Sequence, residues 1–111
     1  MSSKQINLAT DFSKFPAGRF RSDGPNSGER FRDDLLVPAL NNYERVVVVL
    51  DGAVGFGSSF IDEAFGGLVR NSGFTPSDLR KKLEIRSEKD PSYSDEAWDC
   101  IETTVQFAKV R

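Results

Sequence analysis

The stretch Gln5-Ile6-Asn7-Leu8-Ala9 alternates polar and apolar residues, the two-residue period of a half-buried strand, and predicts a strand at or near a sheet edge. Pro16 and Gly18 interrupt the aromatics between Phe12 and Phe20, so a turn and a second short strand around Gly18-Arg19-Phe20-Arg21 are expected, followed by a loop at Ser22-Asp23-Gly24-Pro25-Asn26. Ser27 then caps a helix whose Phe31, Leu35, Leu36 and Leu40 recur at helical spacing, with Pro38 expected to kink or end it. Arg45-Val46-Val47-Val48-Val49-Leu50 is a continuous β-branched run that predicts a central strand covered on both faces and stopped by Asp51-Gly52.

Beyond that turn, a helix is expected from Ser58 or Ser59, either of which could cap it, to Arg70 and Asn71 before Gly73, with Asp62 and Glu63 in its first turn. Thr75-Pro76 opens a short helix running to Lys81 or Lys82, and Leu83-Glu84-Ile85-Arg86 alternates as a strand. Ser92 or Ser94 caps a last amphipathic helix with Trp98, Ile101, Val105 and Ala108 on one face and Lys109 and Arg111 at its end. The order β-β-α-β-α-(short α)-β-α describes one α/β domain over residues 1–111, a mixed sheet of about four strands with helices packed against it.

Composition narrows the chemistry. The 111 residues carry 15 basic and 17 acidic side chains, a net charge of −2, without the basic excess that a phosphate backbone selects for, so nucleic-acid binding is disfavoured. There is no histidine, the side chain most used for proton transfer near neutral pH and the commonest metal ligand. The one cysteine, Cys100, cannot close an internal disulfide and reads as a small buried residue of a reducing, cytoplasmic protein. Neither a signal peptide nor a membrane-spanning apolar run is visible. No cofactor, no metal site and no catalytic residue is expected.

Three glycines in the six residues 52–57 lead from the central strand into a helix start, leaving backbone free for close approach by a partner and N–H groups free for an anion. The same glycines also suit a tight loop in front of a capped helix, and local sequence leaves both readings open. Asp51 suits the turn with Gly52 rather than a metal or phosphate site, because no acidic pair accompanies it. Asp62 and Glu63 are adjacent on a helix, point in different directions, and complement the helix start rather than forming an acid/base pair. Arg19, Arg21, Arg30 and Arg32 flank the 23–28 loop, where they form either a solvated basic edge or a cluster able to hold an anion.

The strand ending in Asp51-Gly52, the Gly57-Ser58-Ser59-Phe60 junction, the helix from Ile61 to Arg70 and the upstream Ser27-Gly28-Glu29-Arg30-Phe31-Arg32 together resemble the uncharacterised bacterial family of STAS-like domains over nearly the whole chain. STAS domains proper include anti-sigma-factor antagonists, phosphorylated on a serine at the start of the helix after the central strand by a histidine-kinase-like ATPase. The resemblance implies a regulatory domain with Ser58 as phospho-acceptor and Ser59 one residue on. Gly57 stands where the antagonists have an acidic residue and Phe60 where they have glycine. The expectation is therefore a non-catalytic domain that docks a protein, such as a histidine-kinase-like ATPase, through Gly55, Phe56, Gly57, Ser58, Ser59, Phe60, Asp62 and Glu63. The alternative is a small-molecule or nucleotide module holding an anion at the same helix start, with Arg30.

Overall fold

A computed structural model describes residues 2–55 and 57–110, with side chains placed through Thr104. Phe56 and Arg111, and the side chains of Val105, Ala108 and Lys109, lie outside the described residues. Three strands, β1 (Ser3–Asn7), β2 (Arg45–Val49) and β3 (Leu83–Arg86), form a parallel sheet in the order β1-β2-β3. The register places Ile6 beside Val48, and Val48 beside Ile85. Helix α1 spans 28–42 and α2 spans 58–70, followed by α3 (Pro76–Lys82) and α4 (Ser92–Val110).

Each parallel step needs a crossover, supplied by α1 between β1 and β2 and by α2 and α3 between β2 and β3. Right-handed crossovers that step across a sheet in one direction place their helices on one face. Burial follows that rule. Ile6, Leu8, Val46, Val48, Leu50, Leu83 and Ile85 are buried, whereas Val47 and Val49 are half-buried and Arg45 and Arg86 are exposed. The expectation that the valine strand is covered on both faces is corrected by this topology. The open face instead carries the ion pairs Arg45–Glu84 (3.0 Å) and Arg86–Glu84 (2.5 Å).

The sheet is also parallel rather than mixed, and among the described residues it has three strands rather than four. The strand expected at 18–21 is replaced by an irregular segment with a short 3-10 turn, Arg21–Asp23. Its backbone groups are used elsewhere. The carbonyls of Gly18 and Arg19 accept the first N–H groups of α1, from Gly28 and Glu29, at 3.0 Å each. The Asp23 carboxylate takes the N–H groups of Arg19 and Phe20. A segment that caps a helix in this way has no ladder groups left to offer.

Several boundaries follow the expected signals. The Ser27 hydroxyl accepts the Arg30 N–H, and Thr75 accepts that of Asp78 with Pro76 at the first helical position. The Phe74 N–H closes back on the Leu68 carbonyl at the end of α2. Others differ. Asp90, not Ser92 or Ser94, receives an N–H at the start of α4, that of Ser92 at 3.1 Å. The first strand ends at Asn7, and Leu8–Phe12 form a wide π-type turn. Pro38 does not end α1. A π-type segment, Arg32–Leu36, precedes it, with the Val37 N–H reaching the Arg32 carbonyl, and the helix continues to Asn42.

The core is aromatic where α1 meets α2. Phe31 lies 5.3 Å from Phe12, 6.0 Å from Phe60 and 6.4 Å from Phe65 between ring centroids. Gly28 permits the crossing, because a Cβ there would stand 2.6 Å from the Phe60 carbonyl oxygen.

Candidate functional site

The glycine-rich junction lies beyond the carboxyl end of β2, the usual place for function in a parallel sheet. Asp51 and Gly52 turn the chain there, and the Val54 N–H donates to the Lys14 carbonyl at 2.7 Å, binding the 53–55 loop to the 13–17 loop. Gly55 sits at φ 72°, where side chains are strained, and a Cβ at Gly55 or Gly57 would meet nothing within 4 Å. Gly55, Gly57, Ser58 and Ser59 are exposed. Phe56, expected to be part of this surface, lies outside the described residues.

Gly57 is the N-cap of α2, and no side chain caps the helix. Neither Ser58 nor Ser59 therefore fills the capping role allowed for above. They occupy the first two helical positions, both exposed, in the turn where N–H groups lack helical partners.

Phe60, Asp62 and Glu63 do not belong to the exposed surface in the same way. Phe60 is 1% exposed inside the aromatic cluster and acts as a core anchor. Glu63 is 3% exposed and accepts from Arg32 Nη1 at 2.6 Å, Asn71 Nδ2 at 3.2 Å, Arg70 Nη2 at 3.3 Å and Arg19 Nη1 at 3.4 Å. Asp62, half-buried, accepts from Arg19 at 2.5 Å and Arg70 at 3.1 Å. Burial opposes the charge on Asp62, but the bonds from Arg19 and Arg70 outweigh it and hold the carboxyl below its ordinary pKa. The two carboxylates pin α2 to α1 and to the 13–27 segment.

The arginines that could have formed an anion cluster are each taken by acceptors. Arg19 bonds Asp62 and Glu63, Arg21 bonds Asp34 at 2.8 Å, and buried Arg32 bonds Glu63 and Asp33. Arg30 bonds the Pro25 carbonyl at 2.5 Å, pairs with Asp34 at 3.4 Å and lies over the Phe12 ring. The expected partnership of Arg30 with an anion at the α2 start therefore competes with three contacts made elsewhere.

Sequence reading missed two features. Asp51 does more than turn the chain, because its carboxylate accepts the N–H groups of Lys89 and Glu88 at 2.9 and 3.0 Å. Those two bonds hold its pKa below the ordinary value and fasten the 87–90 loop beside the junction. The cleft between these loops, lined by Asp51, Ala53, Ser87 and Tyr93 among others, measures about 70 Å³, room for a few waters. The second feature is apolar exposure. Phe15 is 65% and Val54 61% exposed, on the two loops joined by the Val54–Lys14 bond.

A family model described as a STAS-like domain of unknown function (DUF4325) matches residues 27–93, from the cap of α1 to the first turn of α4. That is more than half of the chain. The chain belongs to this STAS-like family. Searches of curated proteins and of solved structures each return no significant match. The matched region of the STAS-like domain contains the glycine junction, both serines, Arg32 and Glu63, while β1, Phe15 and Arg19 precede it.

Two further observations concern chemistry in the STAS-like domain. Among the described residues no three His, Cys, Asp or Glu side chains are grouped to hold a metal ion, and no helix is long and apolar enough to cross a membrane. Burial, with the nearby Asp62 charge, pushes the Cys100 thiol up to about 11, so at neutral pH it is protonated and a poor nucleophile.

Proposed function

We propose that this STAS-like domain is a non-catalytic, cytoplasmic regulatory module that docks a protein partner at the junction between β2 and α2. The observation that carries the reading is the pairing of two loops that expose Phe15 and Val54 beside Gly55, Gly57, Ser58 and Ser59. Exposed apolar side chains on a tip of two loops tied together by a main-chain bond offer a partner contact area that can be desolvated on binding. The α2 network keeps that tip in place from beneath, while Phe60 and Glu63 support it rather than touch the partner. A histidine-kinase-like ATPase is the partner class that the STAS relationship suggests.

Phosphorylation of Ser58 is the proposed switch. A phosphate there adds nearly two negative charges in the middle of the contact surface, while the first turn of α2 favours it locally. It acts on docking and leaves the fold intact. The uncapped start of α2 also supports the second reading, in which Ser58, Ser59 and backbone N–H groups hold a small anion or nucleotide.

Affinity capture from native cells on wild type, Ser58→Ala, Ser58→Asp and Val54→Asp tests the reading, with bound proteins and bait mass read by mass spectrometry. The expected result is one partner retained by wild type and Ser58→Ala and lost from both aspartate variants. A partner retained by Val54→Asp refutes docking at this tip. If no protein is enriched and a nucleotide raises the melting temperature of wild type but not of Ser58→Asp, the anion reading replaces it.

A further inference from the structure

Among the described residues β1 is one of the two edge strands of the sheet. The Arg45 N–H donates to the Ser2 carbonyl at 3.2 Å, and Gln5 registers with Val47, so the ladder to β2 uses the main chain of Ser2, Lys4 and Ile6. The main-chain groups of Ser3, Gln5 and Asn7 then face outward. The Asp11 carboxylate closes the Asn7 N–H at 2.8 Å, which leaves an open edge at Ser3 and Gln5.

Beside this edge, between β1 and α1, runs a groove of about 370 Å³. Ile6, Leu35, Pro38 and Ala39 give it an apolar lining, Tyr43 contributes a ring, and Lys4 also borders it. Lys4 is the one basic side chain in its lining and enters no ion pair among the described residues, whereas Asp34 on the α1 wall is paired with Arg21 and Arg30, and Asp11 keeps its charge while accepting the Asn7 N–H.

We propose that this groove accepts an extended segment of another protein as a fourth strand on β1, with apolar side chains in the groove and an acidic side chain opposite Lys4. Unpaired main-chain groups beside an apolar groove are what strand addition requires, the edge supplying hydrogen bonds and the groove selecting alternate side chains. Lys4 decides the kind of occupant. A symmetric pairing of two β1 strands through Ser3 and Gln5 centres on Lys4 and sets two ammonium groups side by side, which is destabilising. The lysine that blocks self-pairing favours an acidic residue in its place. This surface is separate from the tip carrying Phe15 and Val54, so each can fail without the other.

The test uses the ¹⁵N-labelled full chain and two blocked peptides of about seven residues, in which threonine alternates with valine. One carries a glutamate in the valine row and the other a lysine at that position. The glutamate peptide is expected to slow hydrogen exchange at the Ser3 and Gln5 amides and to bind about fivefold or more tightly than the lysine peptide, a preference that Lys4→Glu reverses. Gln5→Pro deletes an outward N–H without removing a bond to β2, and is expected to abolish binding of both peptides. Equal affinity for the two peptides, binding that survives Gln5→Pro, or shifts at Leu35 and Tyr43 without protection of the edge amides would each overturn the proposal. So would exchange protection of β1 that rises with protein concentration in the absence of peptide, which would make a second copy the occupant.

Discussion

Replacing Arg32 by alanine tests the network beneath the docking tip. Arg32 is 4% exposed and gives Glu63 its shortest bond, 2.6 Å, and it also donates to the Glu63 carbonyl at 2.9 Å. Burial works against its charge, yet its bonds to Glu63 and Asp33 outweigh that penalty and raise its pKa. Breaking a buried pair by removing one partner costs about 3–5 kcal/mol, chiefly because the other charge is left behind. The two halves of the pair are not equivalent. Without Arg32, Glu63 keeps Asn71, Arg70 and Arg19 at 3.2–3.4 Å, so Arg32→Ala falls near the lower end, about 3 kcal/mol. Without Glu63, Arg32 keeps the Glu63 main-chain carbonyl and the solvent-facing Asp33, so Glu63→Ala approaches about 5 kcal/mol. Urea and thermal unfolding, both followed by Trp98 fluorescence, measure each variant and the double variant. In a domain of this size the melting shifts should be about 12–25 °C. The double variant should be less destabilised than the sum of the singles by more than about 1 kcal/mol. Single losses below about 1 kcal/mol, or additive ones, would show that the pair does not hold α1 to α2.

Two further outcomes follow from the same packing. Gly28→Ala should cost about 1–3 kcal/mol, because its Cβ meets the Phe60 carbonyl at 2.6 Å, whereas Gly57→Asp, in open space at an N-cap, should stabilise by a few tenths of a kcal/mol; chemical denaturation of the two variants checks the contrast. Asp62 has a folded pKa below its unfolded one, so its contribution is complete above the ordinary carboxyl value and is lost as pH falls through the lower, folded value. The stability gap between wild type and Asp62→Asn should therefore hold steady near neutral pH and close below about pH 4, and a gap that widens on acidification would contradict the assignment.

Local signals in the sequence determined most of the elements. Thr75-Pro76 and Ser27 mark helix starts through hydrogen bonds made within three residues, and the valine run and Leu83-Glu84-Ile85-Arg86 mark strands through side-chain periodicity. The glycine junction was visible because Gly55 answers a local backbone demand. Tertiary structure decided whatever depended on distant partners. The 18–21 segment alternates well enough for a strand, yet its carbonyls cap α1, a use that no local period encodes. Phe60 and Glu63 look as available as Ser58 and Ser59 along the chain, but the crossing of α1 over α2 turns one into core and the other into an anchor for three arginines. The valine strand is apolar throughout, and only the one-directional order of the sheet leaves Val47 and Val49 on an open face, because parallel crossovers of one hand put every connecting helix on the same side.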